Sequence, residues 1–138
     1  MKKMFAVVVL LLLLVFTGCS SSEAKDYSKV IDIALKGNSE MVKEYDWDSE
    51  ALFEKEKSNI MVWEDKNNYY VYFRKNESDS VYGDLVRGDG YKISKSNDKW
   101  SSSPADRSQI MSYLDDNEQT VYEENNIELI DKDDYNMR

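Results

Sequence analysis

Apolar residues recur at helical spacing between Tyr27 and Tyr45, at intervals of three, four and seven positions. Asp26 stands just before this stretch and suits an N-cap, because its carboxylate can accept a backbone N–H of the first turn. Gly37 and Asn38 interrupt the pattern and allow either a break or a continuous helix. We expect one long helix that tolerates the glycine, at a cost of about 1 kcal/mol relative to alanine.

After this helix the composition shifts towards aromatic and β-branched residues, which favour strands. The charged stretch 47–57 lies between the two regions and predicts a short second helix. Alternation then predicts four short antiparallel strands, at 60–64, 69–74, 81–87 and 91–95, with a fifth near Trp100. Polar or glycine-rich turns are predicted between them, at 65–68, 88–90 and 96–99, and a polar loop at 75–80.

The C-terminal part permits two structures. Ser103, Pro104 and Asp106 are typical of a helix start, and an apolar stripe continues from Ile110 to Tyr122. A late hairpin, in which 120–122 pairs with 127–130, is the alternative. The polar residues Asp131 to Arg138 predict a frayed end. The whole pattern predicts an α+β domain, with an N-terminal helix on an antiparallel sheet of about four strands and an additional C-terminal helix or hairpin.

The first residues of the chain have the pattern of a targeting signal. Lys2 and Lys3 precede an apolar run that is too short for a bilayer, which needs roughly 20 apolar residues. The run ends at Phe16-Thr17-Gly18-Cys19, which looks like a bacterial lipobox with Phe16 in place of the usual aliphatic residue. We therefore expect a signal peptide at 1–18 and a diacylglycerol on Cys19. The mature protein would lie on the extracytoplasmic face of the cell membrane, held by that lipid.

The composition of the chain argues against several catalytic and binding functions. The chain has no histidine, one cysteine, and 27 acidic against 18 basic residues, a net charge of −9. The commonest general base and metal ligand is thus missing, and a cysteine-based zinc site is excluded. The acidic balance also argues against a nucleic-acid partner, which requires a basic face. An acidic run at 46–57 departs from a calcium loop at its sixth and twelfth positions. We expect no catalytic residues, no metal and no cofactor, and so no enzyme.

The aromatic residues of the predicted sheet are its most distinctive feature. They serve either as core and cross-strand pairs or as a surface that binds a partner. In the strand at 69–74, Tyr70 and Tyr72 share one face, opposite Val71 and Phe73, so they are the best candidates for the exposed side. The candidate ligand or partner residues are Trp63, Tyr70, Tyr72 and Trp100.

Two segments of the sequence resemble segments of a known protein family. The helix opening Asp26-Tyr27-Ser28-Lys29-Val30-Ile31-Asp32 and the strand Tyr69-Tyr70-Val71-Tyr72-Phe73 look like those of small cystatin-like-fold lipoproteins of low-GC Gram-positive bacteria. The resemblance covers roughly 19–100. It implies one helix on a curved sheet of about four strands. Some members are carried on conjugative elements, where such a lipoprotein acts in exclusion of redundant transfer.

These observations give one expected organisation and two expected functions. The segments are a signal peptide at 1–18, a lipidated Cys19 with a polar tether at 19–25, a cystatin-like α+β domain at 26–102, and a C-terminal acidic helix or hairpin with tail at 103–138. The first function is a non-catalytic module that binds a protein of the cell envelope, in the resemblance's most concrete version by surface exclusion. The alternative is a small-ligand site on the concave face of the sheet, walled by Trp63, Tyr72 and Trp100.

Overall fold

A five-stranded antiparallel sheet with a helix on each face forms the part of the chain that the computed structural model describes, residues 26–79, 81–135 and 137. The strand order is β4-β3-β2-β1-β5. The elements follow one another as α1 (Tyr27–Glu44), β1 (Asn59–Glu64), β2 (Asn68–Asp79), β3 (Gly83–Ser96), β4 (Lys99–Pro104), α2 (Arg107–Asp115) and β5 (Tyr122–Asn125). The expected α+β class, with the helix N-terminal to an antiparallel sheet, is confirmed, with five strands rather than about four.

Helix α1 is continuous, as expected, and Asp26 caps it by accepting a hydrogen bond from the backbone N–H of Ser28 at 3.0 Å. The interruption at Gly37 has a packing cause. A Cβ atom at Gly37 would lie 2.9 Å from the Cβ of Ser102 on β4, so glycine lets the helix approach the sheet closely.

The connection from α1 to β1 differs from the expected short helix. It contains two short 3₁₀ turns, Ser49–Ala51 and Lys55–Lys57, separated by extended backbone. The side chain of Asn38 accounts for the extended backbone between the two turns. Its amide nitrogen donates to the carbonyl of Ala51, and its amide oxygen accepts a hydrogen bond from the N–H of Phe53. These two backbone groups are therefore satisfied without a helix.

The expected hairpin at 88–90 is wrong. Strand β3 runs straight through these residues and pairs with β2 from Gly83 to Ser94. A Cβ at Gly90 would lie 3.0 Å from Ile110 Cγ1 and 3.2 Å from Met137 Cε. Glycine at this position thus lets α2 and the C-terminal segment pack against the strand. Strand β2 likewise continues through the expected loop at 75–80 as far as Asp79.

The other two predicted turns are confirmed. Asp65 closes the β1–β2 turn by accepting hydrogen bonds from the N–H groups of Asn67 and Asn68 at 3.1 and 3.2 Å. The β3–β4 turn places Asn97 and Asp98 at φ of 49° and 61°. Positive φ at both central residues is the geometry that two-residue hairpins favour.

Both faces of the sheet are buried. On the first face α1, the connection before β1 and the sheet share a core of ten buried side chains, Val30, Ile31, Ala34, Phe53, Ile60, Val62, Val71, Phe73, Tyr91 and Ile93. On the second face α2 and the end of the chain pack against the sheet and share with it a core of six buried residues, Trp63, Tyr70, Tyr72, Ala105, Ile110 and Met137. The segment after β4 therefore completes the fold by closing the second face.

The C-terminal part combines elements of both expected structures and matches neither. Helix α2 begins after Asp106, which caps it in place of Ser103, because Ser103 and Pro104 still belong to β4. The helix ends at Asp115, and β5 pairs with β1 rather than with 127–130. The expected fraying of 131–138 is also wrong for its described residues, since Met137 is only 6% exposed and Arg74 binds the carbonyls of Lys132 and Asp134.

Among the described residues, no helix has the length and apolar character that crossing a membrane requires. The expected signal peptide at 1–18, the lipid on Cys19 and the tether at 19–25 lie outside the described residues.

Candidate functional site

The four residues predicted to bind a ligand or partner do not form one site. Trp63, Tyr70 and Tyr72 belong to the core of the second face, whereas Trp100 packs against that of the first. Tyr70 and Tyr72 are 6% and 0% exposed, so their expected exposure is wrong. The reason is that α2 and the C-terminal segment cover them. Trp100 is half-buried, with the ammonium of Lys29 5.2 Å from its ring centroid.

A cleft of about 710 Å³ opens on the second face, between β1, α2 and the C-terminal segment. Its volume lies in the range of ligand-binding pockets, about 300–1,000 Å³. Met61 and Trp63 of β1 contribute to one side, Tyr113 and Leu114 of α2 to another, and Tyr135 to the third. Of the four predicted residues, only Trp63 lines it.

A ladder of aromatic contacts fixes the inner wall of the cleft. The indole of Trp63 stacks on the ring of Tyr113 at 5.5 Å and 21°, and Tyr70 meets Tyr113 edge-on at 5.3 Å. The indole N–H of Trp63 donates to the carbonyl of Glu118 at 3.1 Å. This bond fastens the loop after α2 to β1, and it gives the buried indole N–H a hydrogen-bond partner.

The opposite wall is fastened to the sheet by Arg74. Its guanidinium donates to the carbonyls of Lys132 and Asp134 at 2.9 and 3.3 Å, and it lies 4.1 Å from the ring centroid of Tyr135. Arg74 is 8% exposed. The C-terminal side of the cleft, like the side at Trp63, is therefore held in place by a buried side chain.

The rim of the cleft is acidic. Five carboxylate residues line it, with no lysine or arginine among the described lining residues: Asp115, Glu118, Glu123, Asp133 and Asp134. In the part of the chain that the structure describes, none of the five forms an ion pair with a basic side chain. The cleft therefore concentrates negative potential above an apolar and aromatic wall.

The phenol groups beside the cleft remain protonated near neutral pH. Burial, followed by the charge of nearby Asp65, raises the pKa of Tyr70 to about 12. Burial and the neighbouring carboxylates of Asp65 and Glu118 also raise the pKa of Tyr113. Both hydroxyls therefore act as hydrogen-bond donors near neutral pH.

Four charged side chains form a separate cluster on the first face, beyond the end of α1. The carboxylate of Glu77 lies 3.5 Å from the guanidinium of Arg87, and that of Asp89 lies 3.8 Å from it. Lys75 donates to the carbonyls of Glu50 and Leu52, which fastens the connection before β1 to the sheet. These contacts give the cluster a role in joining the α1–β1 connection to β2 and β3.

Sequence reasoning missed most of the cleft, because Met111, Tyr113 and Tyr135 lie in the segment whose structure the pattern left open. The available signal was the mixture of methionine and tyrosine with acidic residues between 111 and 135, which is unusual for a solvated tail.

In residues 26–79, 81–135 and 137, no group of three or more Asp, Glu, Cys or His side chains is placed to hold a metal ion.

Comparison with known proteins gives no match: no family model, curated protein or solved structure matches this chain.

Proposed function

We propose that this chain is a bacterial lipoprotein, anchored on the extracytoplasmic face of the cell membrane through Cys19, and that its domain is a non-catalytic module that binds a protein of the cell envelope. The observation that carries the binding role is the cleft on the second face. It is open, walled by packed aromatic rings and lined by apolar and acidic side chains that can contact a ligand. The absence of histidine from the sequence supports a binding role over a catalytic one.

The anchor is supported by the lipobox-like end of the apolar run at Cys19 and by the position of the fold. Helix α1 begins at Tyr27, so only residues 19–25 and the cap separate the lipid from the domain. Fully extended, 19–25 span about 25 Å. A lipidated protein would therefore work close to the membrane surface, and its partner would be found there.

The finer identity follows from the resemblance. We propose that the helix and sheet form a cystatin-like domain, and that the protein acts in surface exclusion of a conjugative element. A small-ligand site walled by Trp63, Tyr72 and Trp100 receives no support from the geometry, because Tyr72 is fully buried and Trp100 lies on the other face.

Metabolic labelling tests the anchor. Cells that express the protein and grow on radiolabelled palmitate should label the wild type and leave Cys19→Ala unlabelled and released from the membrane. Equal labelling of both proteins would contradict lipidation at this residue.

Site-specific photocrosslinking tests the binding role. A benzophenone amino acid at Met111, which lines the cleft, should form one dominant adduct with an envelope protein in living cells. The same probe at Lys36, exposed on α1, is the matched control and should not form that adduct. Absence of an adduct from Met111 in cells that retain the anchored protein would overturn the proposal.

A mating assay tests the exclusion version separately. Recipient cells that express the wild type should acquire a cognate conjugative element less often than cells that express Cys19→Ala. Equal transfer into the two recipients would rule out exclusion and leave the binding module to be judged by crosslinking.

A further inference from the structure

We propose that the segment of the partner protein that enters the cleft is cationic and amphipathic: a lysine or arginine next to an aliphatic side chain. This inference rests on the proposed binding function and adds the chemical class of the partner. It follows from three features of the cleft, namely its apolar wall, its acidic rim without basic partners among the described residues, and the rings of Trp63 and Tyr113, on which no described cation lies.

The apolar part of the cleft suits an aliphatic side chain. Met61, Met111 and Leu114 line it together with the ring of Tyr113. Methionine side chains are flexible and polarisable, and they adapt to apolar groups of different shapes. An aliphatic side chain of the partner would displace water from this wall, which favours binding in proportion to the area covered.

The rim selects the charge of the partner. Asp115, Glu118, Glu123 and Asp133 are exposed, and Asp134 is half-buried. Elsewhere, the exposed acids Glu40, Glu54 and Asp98 have lysine partners within 4 Å, whereas others such as Asp32 and Asp46 have none among the described residues. The carboxylates of the rim have no such partner among the described residues, so a cation entering the cleft displaces no other cation.

The aromatic rings point to the same partner. The described residues contain four cation–ring contacts, of Lys29 and Lys95 with Trp100, Arg74 with Tyr135, and Lys75 with Phe53. None of these contacts involves Trp63 or Tyr113. Tyr113 is half-buried at the cleft, and a lysine or arginine of the partner within about 6 Å of its ring would gain a cation–π contact.

A second cleft of about 660 Å³ on the same segment provides a contrast. Arg74 and Lys132 line it together with Glu128 and Asp133, so its charges are mixed. A bacterial membrane surface is anionic and would be repelled by the acidic rim of the first cleft. Charge therefore favours a basic protein segment over lipid, and favours the first cleft over the second.

Fluorescence titration of the full chain in detergent micelles tests this inference. Trp47→Phe and Trp100→Phe leave Trp63, in the wall of the cleft, as the only tryptophan. The probe is a short synthetic peptide in which lysine and leucine alternate. It should change the Trp63 emission saturably and should bind more weakly as salt is added. A peptide of alternating lysine and serine should bind less tightly, and one of alternating glutamate and leucine should not bind.

Two triple variants of equal net charge provide the matched control. Asp115→Asn, Asp133→Asn and Asp134→Asn together neutralise three cleft carboxylates and should weaken binding of the lysine–leucine peptide by about tenfold. Asp32→Asn, Asp46→Asn and Asp84→Asn neutralise three exposed carboxylates elsewhere and should change it less than about twofold. Circular dichroism of both variants should match the wild type, which checks that they fold.

Each outcome supports or overturns the inference. Equal binding of the glutamate and lysine peptides, equal loss in the two triple variants, or no saturable change in Trp63 emission would overturn it. An adduct from Met111 in cells together with any of these results would retain the binding function and reject the cationic partner. Charge-selective peptide binding without an adduct would establish the preference of the cleft and reject the proposed envelope partner.

Discussion

The side-chain amide of Asn38, in the middle of α1, donates a hydrogen bond to the hydroxyl of Tyr91 on β3 at 2.9 Å. The same nitrogen donates to the carbonyl of Ala51 at 3.2 Å, and the amide oxygen accepts the N–H of Phe53 at 2.9 Å. Asn38 is 1% exposed. One buried side chain thus joins the helix, the sheet and the connection before β1.

Replacing Asn38 should be strongly destabilising. Asn38→Leu keeps a similar volume but leaves the Phe53 N–H, the Ala51 carbonyl and the Tyr91 hydroxyl without this partner. Each unsatisfied buried group costs about 1–3 kcal/mol, so we expect the free energy of unfolding in urea to fall by about 3 kcal/mol or more.

Tyr91→Phe is the control for this prediction, because it removes only one of the three hydrogen bonds and should cost about 1 kcal/mol. A double-mutant cycle should then show coupling between positions 38 and 91. Additive losses in the double variant would show that this hydrogen bond contributes nothing.

Gly37→Ala should destabilise the protein although alanine is the better helix former. The intrinsic gain is about 1 kcal/mol. The new Cβ would lie 2.9 Å from Ser102 Cβ, and such overpacking typically costs about 1–3 kcal/mol. Urea unfolding should therefore show no gain and a net loss of up to about 2 kcal/mol.

The neighbouring Lys36→Ala, exposed on α1, provides the control for intrinsic helix propensity and should be nearly neutral. Adding Ser102→Gly to Gly37→Ala should make the alanine less costly than it is in the wild-type background. A stabilised Gly37→Ala single variant would contradict the close approach of α1 and β4.

Local signals predicted the first half of the fold because they are satisfied locally. The carboxylate of Asp26 caps the adjacent turn, and Asp65 closes its own turn, so short-range hydrogen bonds determine both boundaries. The alternation of Val71 and Phe73 with Tyr70 and Tyr72 also placed these residues correctly on two opposite faces.

Long-range packing overturned the local signals elsewhere. Gly88 and Gly90 are typical of a turn, but Gly90 gives space to Ile110 and Met137, which lie far away in sequence. Tyr70 and Tyr72 looked exposed because nothing in β2 indicates which segment covers that face. The same segment forms the cleft, so its wall at Tyr113 and Tyr135 could not be predicted without the packing of the C-terminal part.

The carboxyl of Asp89 should make stability depend on pH. Burial, opposed by Arg87 and Lys75, raises its pKa to about 6 from the usual value of 3.8. Between these two values the folded protein keeps the proton and the unfolded chain releases it. The Asp89 contribution to the free energy of unfolding is therefore present below pH 3.8 and is lost as the pH rises through about 6. The full shift corresponds to about 3 kcal/mol.

Asp89→Asn tests this dependence, because the amide resembles the protonated acid. In urea titrations the variant should match the wild type near pH 4 and should exceed it by about 1–3 kcal/mol near pH 8. Asp98→Asn removes an exposed carboxylate after β3 and should follow the wild type throughout. A constant difference between Asp89→Asn and wild type across this range would assign the effect to packing rather than to titration.

Arg74 should protect the C-terminal segment from proteolysis. The carbonyl of Lys132 belongs to the peptide bond that trypsin would cleave. It accepts a hydrogen bond from the Arg74 guanidinium at 2.9 Å. Opening this segment costs at least that charge-assisted bond and the contact with Tyr135, or about 2–3 kcal/mol. Arg74→Gln should therefore speed tryptic cleavage after Lys132 by at least about tenfold under native conditions, as measured by mass spectrometry of the digest.

The matched control is Arg107→Gln. Arg107 is exposed at the start of α2, and its replacement should leave the rate unchanged. Equal cleavage rates in Arg74→Gln and wild type would show that other contacts, such as the hydrogen bonds of Asn76 with Glu128 and Ile130, hold the segment on the sheet.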